Sequence, residues 1–148
     1  MRDGSTRAEV TVIGSGLAGM AASVHLARAG YDVLCIESDK DSNPAVGESL
    51  DWSAPALLEV LGLPMDRLIG ENIATYKRHV TVKLMDGSSR DYIPGEWLGR
   101  PPYNLELRTL HVDRVQLDQA LRAIVLSNGV EMAADRVVEV EKEKRRVT

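Results

Sequence analysis

An apolar strand, Val10-Thr11-Val12-Ile13, runs directly into Gly14-Ser15-Gly16-Leu17-Ala18-Gly19, and the next strand leads to Glu37. Few other short patterns constrain a fold so tightly. Gly14 permits a tight turn out of the strand, Gly16 offers backbone with no Cβ in the way, and Gly19 lets the following helix pack closely on the strand. The predicted helix, Ala18 to Ala29, carries small residues at Ser23 and Ala27 on the row facing the sheet and ends at Gly30, a natural C-cap. A second strand, Asp32 to Ile36, then places Glu37 18 residues after Gly19. Strand, glycine turn, helix, strand and acid together form the fingerprint of an adenine-dinucleotide site. The helix N-terminus presents N–H groups and a positive dipole end to a diphosphate. Glu37 can accept hydrogen bonds from a ribose diol, and its charge would repel a 2′-phosphate, which disfavours NADP.

The 148 residues carry a net charge of −4, which gives no electrostatic reason to expect nucleic acid or an anionic membrane as a partner. The apolar runs are too short to span a bilayer, and the polar lead Met1 to Arg7 is followed at once by a strand. A cytoplasmic location is the expectation. Cys35 is the single cysteine, so an internal disulfide is impossible, and a buried inert thiol is expected in the second strand. His25, His79 and His111 are scattered and no metal-ligand spacing occurs, so no metal site is expected.

Beyond Glu37 the pattern departs from a simple alternation of strands and helices. A helix is predicted from Ser53, as N-cap, to Leu61, with Pro55 in its first turn and Gly62 at its end. Its apolar positions are Ala54, Leu57, Leu58 and Leu61, and Pro64 to Ile69 can form a further turn of helix. Thr75 to Met85, with Val80, Val82 and Leu84 alternating, reads as a strand that returns through Asp86-Gly87 to Arg90–Ile93. Pro94 to Pro102 reads as a loop. Asp113 to Ser127 is a helix opened by a capping-box-like Asp113/Gln116 pair, with Leu117, Leu121, Ile124 and Val125 as its stripe. Val130–Met132 and Arg136–Val140 read as strands, and the charged tail Glu141 to Arg146 as a solvated turn. The fold class is therefore α/β: a Rossmann-like parallel sheet with a helix and a β-hairpin region inserted between its second and third strands. That insertion favours an FAD-binding variant over an NAD dehydrogenase domain, which would continue βαβαβ.

Several segments taken together resemble the FAD-dependent monooxygenase superfamily, especially its flavin-dependent halogenase and geranylgeranyl-reductase-like branch. They are the glycine motif, Glu37, Val46-Gly47-Glu48-Ser49-Leu50, Leu57 to Leu63, and Val112-Asp113-Arg114-x-x-Leu117-Asp118-x-x-Leu121. The resemblance implies FAD as cofactor. It places Gly14, Gly16 and Gly19 around the diphosphate and Glu37 on the adenosine ribose. Gly47, Glu48 and Ser49 would lie near the isoalloxazine, and Arg114 would reach the cofactor from a helix start with its planar charged fork. The bland alternatives are a solvent-exposed first-turn arginine for Arg114 and, for Glu48, a carboxylate favoured only by a helix dipole.

The chain also departs from the family. Members are much longer and carry a downstream Gly-Asp motif, which is missing here, as is the Trp-x-Trp-x-Ile-Pro motif of tryptophan halogenases. Lys77 and Lys83 receive no role, and no catalytic residue is assigned. The expectation is thus one FAD-binding domain fragment over residues 1–148, ending early at the C-terminus. It would belong to an oxidoreductase of the monooxygenase or halogenase type acting on a small organic substrate. The alternatives are an NAD-dependent dehydrogenase domain, or a non-catalytic truncated remnant that needs a missing C-terminal half or partner chain.

Overall fold

The computed structural model describes residues 8–38, 48–77, 79–93, 96, 98–104 and 109–140. The chain divides into two compact units: residues 1–43 with 121–148, and residues 44–120.

The first unit is built on a parallel sheet. Strand β1 (Val10–Ile13) leads through the glycine turn to helix α1 (Leu17–Arg28), and strand β2 (Val33–Glu37) follows. Strand β8 (Glu131–Ala134) completes the order β1-β2-β8. Val10 pairs with Val33 and Ile13 with Ile36, while Leu34 pairs with Glu131 and Glu37 with Ala134. Val33, Leu34 and Cys35 are buried in succession. Side chains alternate between faces along a strand, so consecutive burial means that β2 is covered on both. Met20, Val24, Leu121, Val125 and Val130 complete the apolar core of this unit. Cys35 is buried, as its place in the second strand suggested.

The second unit holds the insertion. Strand β3 (Glu48–Leu50), helices α2 (Ala54–Leu61) and α3 (Met65–Gly70), and strand β4 (Ala74–Lys77) come first. Strands β5 (Val80–Lys83) and β6 (Ser89–Tyr92) form a separate hairpin, and strand β7 (Thr109–Val112) follows. β7 lies between β3 and β4, antiparallel to both. Its Leu110 and Val112 are fully buried, with Leu58, Leu61, Leu63, Leu68, Ile73 and Leu117. Thr109 and His111, on the opposite face, are not buried. Helix α4 (Arg114–Ser127) contains the unit boundary and leads to β8.

The α/β class, the parallel sheet and the insertion between its second and third strands match the sequence pattern. Local details differ. Thr75–Met85 is two strands in two sheets, because β4 pairs with β7 and β5 with β6. The third parallel strand is Glu131–Ala134 alone; its partner β2 ends at Glu37, and Val138 beyond it is exposed. Glu96 and Leu98 have helical backbone within the expected loop. Leu57, placed on the apolar stripe of α2, is exposed. Ser53 has helical dihedrals and does not cap α2; its N–H and hydroxyl both donate to Asp51 Oδ1, at 2.8 and 2.6 Å.

Asp113 does cap α4: its Oδ1 accepts from the N–H groups of Val115 (2.9 Å) and Gln116 (3.1 Å). The reciprocal half of a capping box is absent, because the Asp113 N–H already donates to the Ile73 carbonyl at 2.9 Å. The Gln116 amide donates to Asp113 Oδ2 instead, at 3.1 Å. Donors from the Gln116 side chain, the Gln116 backbone and the Val115 backbone hold the Asp113 carboxyl below its ordinary value of 3.8. A depressed carboxyl stabilises the fold above its unfolded value and loses that contribution as pH falls through the folded one. Asparagine caps without titrating. The difference in thermal midpoint between wild type and Asp113→Asn should therefore stay constant above about pH 5 and change in favour of the variant below 3.8. Melting curves followed by circular dichroism across that range check this.

Candidate functional site: the glycine loop and its acid

Gly14 turns the chain with a φ of +99°, in the left-handed region that glycine alone adopts without cost, and its N–H donates to the Ile36 carbonyl at 2.8 Å. Gly19 is required for a different reason. A Cβ there would overlap the Gly14 carbonyl oxygen and lie 3.6 Å from a Val12 methyl. The first turn of α1 is thus seated directly on the end of β1. Gly16 shows the opposite: a Cβ built on it meets nothing within 4 Å. The space above Gly16 is open, and a side chain would fill it.

The electrostatics of the loop favour an anion. Gly16 is the N-cap of α1, no side chain caps the helix, and no acidic residue stands in its first turn. The partial positive charge of that terminus therefore faces the open space. Glu37, from the end of β2, reaches the edge of the same loop. Its Oε2 accepts from the Ser15 N–H in a short bond and from the Ser15 hydroxyl at 2.9 Å. Its Oε1 lies 3.5 Å from the Ser38 hydroxyl. The four residues chosen from the sequence in this region, Gly14, Gly16, Gly19 and Glu37, therefore converge on one loop. An uncapped helix start, open backbone and an adjoining carboxylate match the diphosphate and ribose of a dinucleotide.

The other candidates belong to the second unit. Gly47 lies outside the described residues. Glu48 opens β3 opposite Val112, and Ser49 pairs with His111, its Oγ 3.4 Å from the imidazole Nδ1. Arg114 is the first residue of α4 and mostly buried, its side chain 17% exposed; its guanidinium donates to Asp118 one turn on, at 3.2–3.3 Å. It lines a cavity of about 440 Å³ with Asn72, Thr75, His111 and Asp113. The sequence reading did not select Asn72, Thr75, His111 or Ser15. Asn72 had a signal, since asparagine tolerates the left-handed φ, +57°, that it adopts directly after Glu71, the C-cap of α3. Thr75 and His111 meet only through strand pairing, in the register Thr75–His111. Among the described residues no group of His, Cys, Asp and Glu side chains could hold a metal ion. No helix is long and apolar enough to cross a membrane among the same residues.

Residues 9–88, more than half of the chain, match the FAD binding domain family. The chain belongs to that family. FAD is accordingly the dinucleotide, and the wider relationship is to the FAD-dependent monooxygenases and halogenases. A menaquinone reductase of Mycolicibacterium smegmatis is 30% identical over 138 residues, covering 92% of this chain and 31% of the relative. A 1H-pyrrole-2-carbonyl-[peptidyl-carrier protein] brominase of Pseudoalteromonas luteoviolacea is 28% identical over 141 residues, covering 94% of this chain and 31% of the relative. The solved structure of a flavin-dependent brominase superposes with a TM-score of 0.70 at 25% identity, over 93% of this chain and 32% of that one. The chain spans about a third of the length of the relatives it matches.

Because the Gly14 carbonyl occupies the place of a Gly19 side chain, Gly19→Ala should destabilise the fold by about 3 kcal/mol, at the upper end for overpacking. Gly16→Ala, which meets open space, should cost less than about 1 kcal/mol. Urea unfolding of both variants beside wild type measures the contrast.

Proposed function

We propose that residues 1–148 are the cofactor-binding domain of a flavin-dependent oxidoreductase of the monooxygenase or halogenase type, acting on a small organic substrate. In this reading the open backbone at Gly16 and the start of α1 hold the FAD diphosphate. Gly14 and Gly19 shape that loop, and Glu37 accepts from the adenosine ribose. Gly47, Glu48 and Ser49 lie toward the isoalloxazine, and Arg114 contributes its charge from the head of α4. The flavin supplies the two-electron redox chemistry when bound. The protein's own part is to bind, orient and shield it.

The observation that carries this reading is the glycine loop: an uncapped helix start and open space at Gly16, bordered by the Glu37 carboxylate. It stands within a segment of the FAD binding domain family. The names of the relatives support the class of chemistry: one is a menaquinone reductase, another a pyrrolyl brominase, and the solved brominase is flavin-dependent. Their length, about three times the matched span, supports a further part of the enzyme that closes the substrate site, supplied by the same protein or by a partner chain. The proposal includes a cytoplasmic location, where the buried, unpaired Cys35 thiol stays reduced.

Purified protein titrated with FAD should show bound-flavin absorbance and quenched flavin fluorescence; no binding by wild type would overturn the proposal. Glu37→Ala should weaken FAD by roughly 1–3 kcal/mol, the scale of hydrogen bonds to a charged acceptor. Gly16→Val should weaken it at least about tenfold with an unchanged far-UV spectrum, because its side chain enters the space meant for the diphosphate. Equal affinity in wild type and Gly16→Val would assign the cofactor elsewhere.

A further inference from the structure

Ser15 is one of the unspecified positions of the glycine motif, which asks nothing of its side chain. Yet both of its donors, the backbone N–H and the hydroxyl, converge on the same oxygen of Glu37. Two donors from one residue on one carboxylate oxygen fix the rotation of the carboxylate and hold it at the lip of the loop. Glu37 is only half-buried, and without these bonds its side chain would sample several rotamers whose ordering would oppose binding. Ser15 is itself only partly exposed, on the short link between β1 and α1, where the φ of +99° at Gly14 sets the turn. Its hydroxyl is therefore carried on rigid backbone.

We propose that Ser15 is a positioning residue for the adenosine end of the cofactor: its hydroxyl pre-orients Glu37 to receive the ribose diol and makes no essential contact of its own with the ligand. The inference rests on the assignment of Glu37 to that ribose. Alanine at position 15 keeps the backbone N–H bond and removes only the hydroxyl, so it isolates the side-chain contribution. Threonine restores a hydroxyl on the same backbone.

The test is a double-mutant cycle on FAD affinity with Ser15→Ala, Glu37→Ala and the double variant, each checked for folding by its thermal midpoint without FAD. Ser15→Ala should weaken FAD by about five- to tenfold, the worth of one charge-assisted hydrogen bond used to order its acceptor. Ser15→Thr should recover most of that loss. In the Glu37→Ala background the same substitution should change affinity less than about twofold, since its acceptor is gone. ADP should lose affinity for Ser15→Ala, whereas 2′,3′-dideoxy-ADP, which lacks the diol, should not. A full Ser15→Ala loss that persists without Glu37, or an equal loss for the dideoxy competitor, would overturn the proposal by showing that the hydroxyl acts on the diphosphate or on the fold. Unchanged FAD affinity in Ser15→Ala would overturn it as well. Failure of the underlying assignment is seen separately, as wild-type protein that binds FAD no better than Glu37→Ala.

Discussion

The contact between the first turn of α1 and the end of β1 sets the geometry on which the glycine loop depends. Where the Gly14 carbonyl approaches Gly19 there is no room for a single methyl group. That closeness brings the start of α1 against the strand ends, so that the helix dipole, the exposed backbone at Gly16 and the Glu37 carboxylate share one lip. A side chain at position 19 would lift the helix away and move each of these relative to the others. The sheet beneath keeps the arrangement rigid: β2 is buried on both faces and paired on both edges, and Glu37 stands at its end.

The loop also illustrates how one residue type serves opposite needs. Gly19 is a packing requirement, Gly14 a torsional one, and Gly16 a matter of clearance. Only the last leaves room for a ligand. The second unit works differently, through β7, whose buried Leu110 and Val112 anchor it in the core while His111 stays on the open face beside Ser49. An antiparallel sheet can pack one face on the core and present polar side chains from the other.

How much of this could be read from the residues varies with the range of the interaction. The β1-α1-β2 segment was legible because its signals are local: alternation, a glycine turn, small residues on one helix row and a C-terminal glycine. The capping role of Asp113 was legible for the same reason, though the fate of Gln116 was not, since the acceptor that takes the Asp113 N–H is the carbonyl of Ile73, 40 positions before Asp113. β3 has three residues and β7 four, and their paired residues lie 60 to 64 positions apart, so no window of sequence contains the partnership. Thr75 and His111 are not legible as cavity residues for the same kind of reason, since they meet only through the pairing of β4 with β7. Ser15 escaped for another: a motif defined by its glycines says nothing about the residues between them.

Cys35 carries a last implication. It carries the one thiol in the sequence, is fully buried, and sits at the middle of the strand that ends on Glu37. Reagents that alkylate thiols reach it only when the residues packed over that face of β2 move away, so alkylation keeps time with local opening of the first unit. The molecule thus contains an intrinsic clock for its own local unfolding, its sulfur 3.8 Å from the Gly14 carbonyl of the loop whose rigidity matters most.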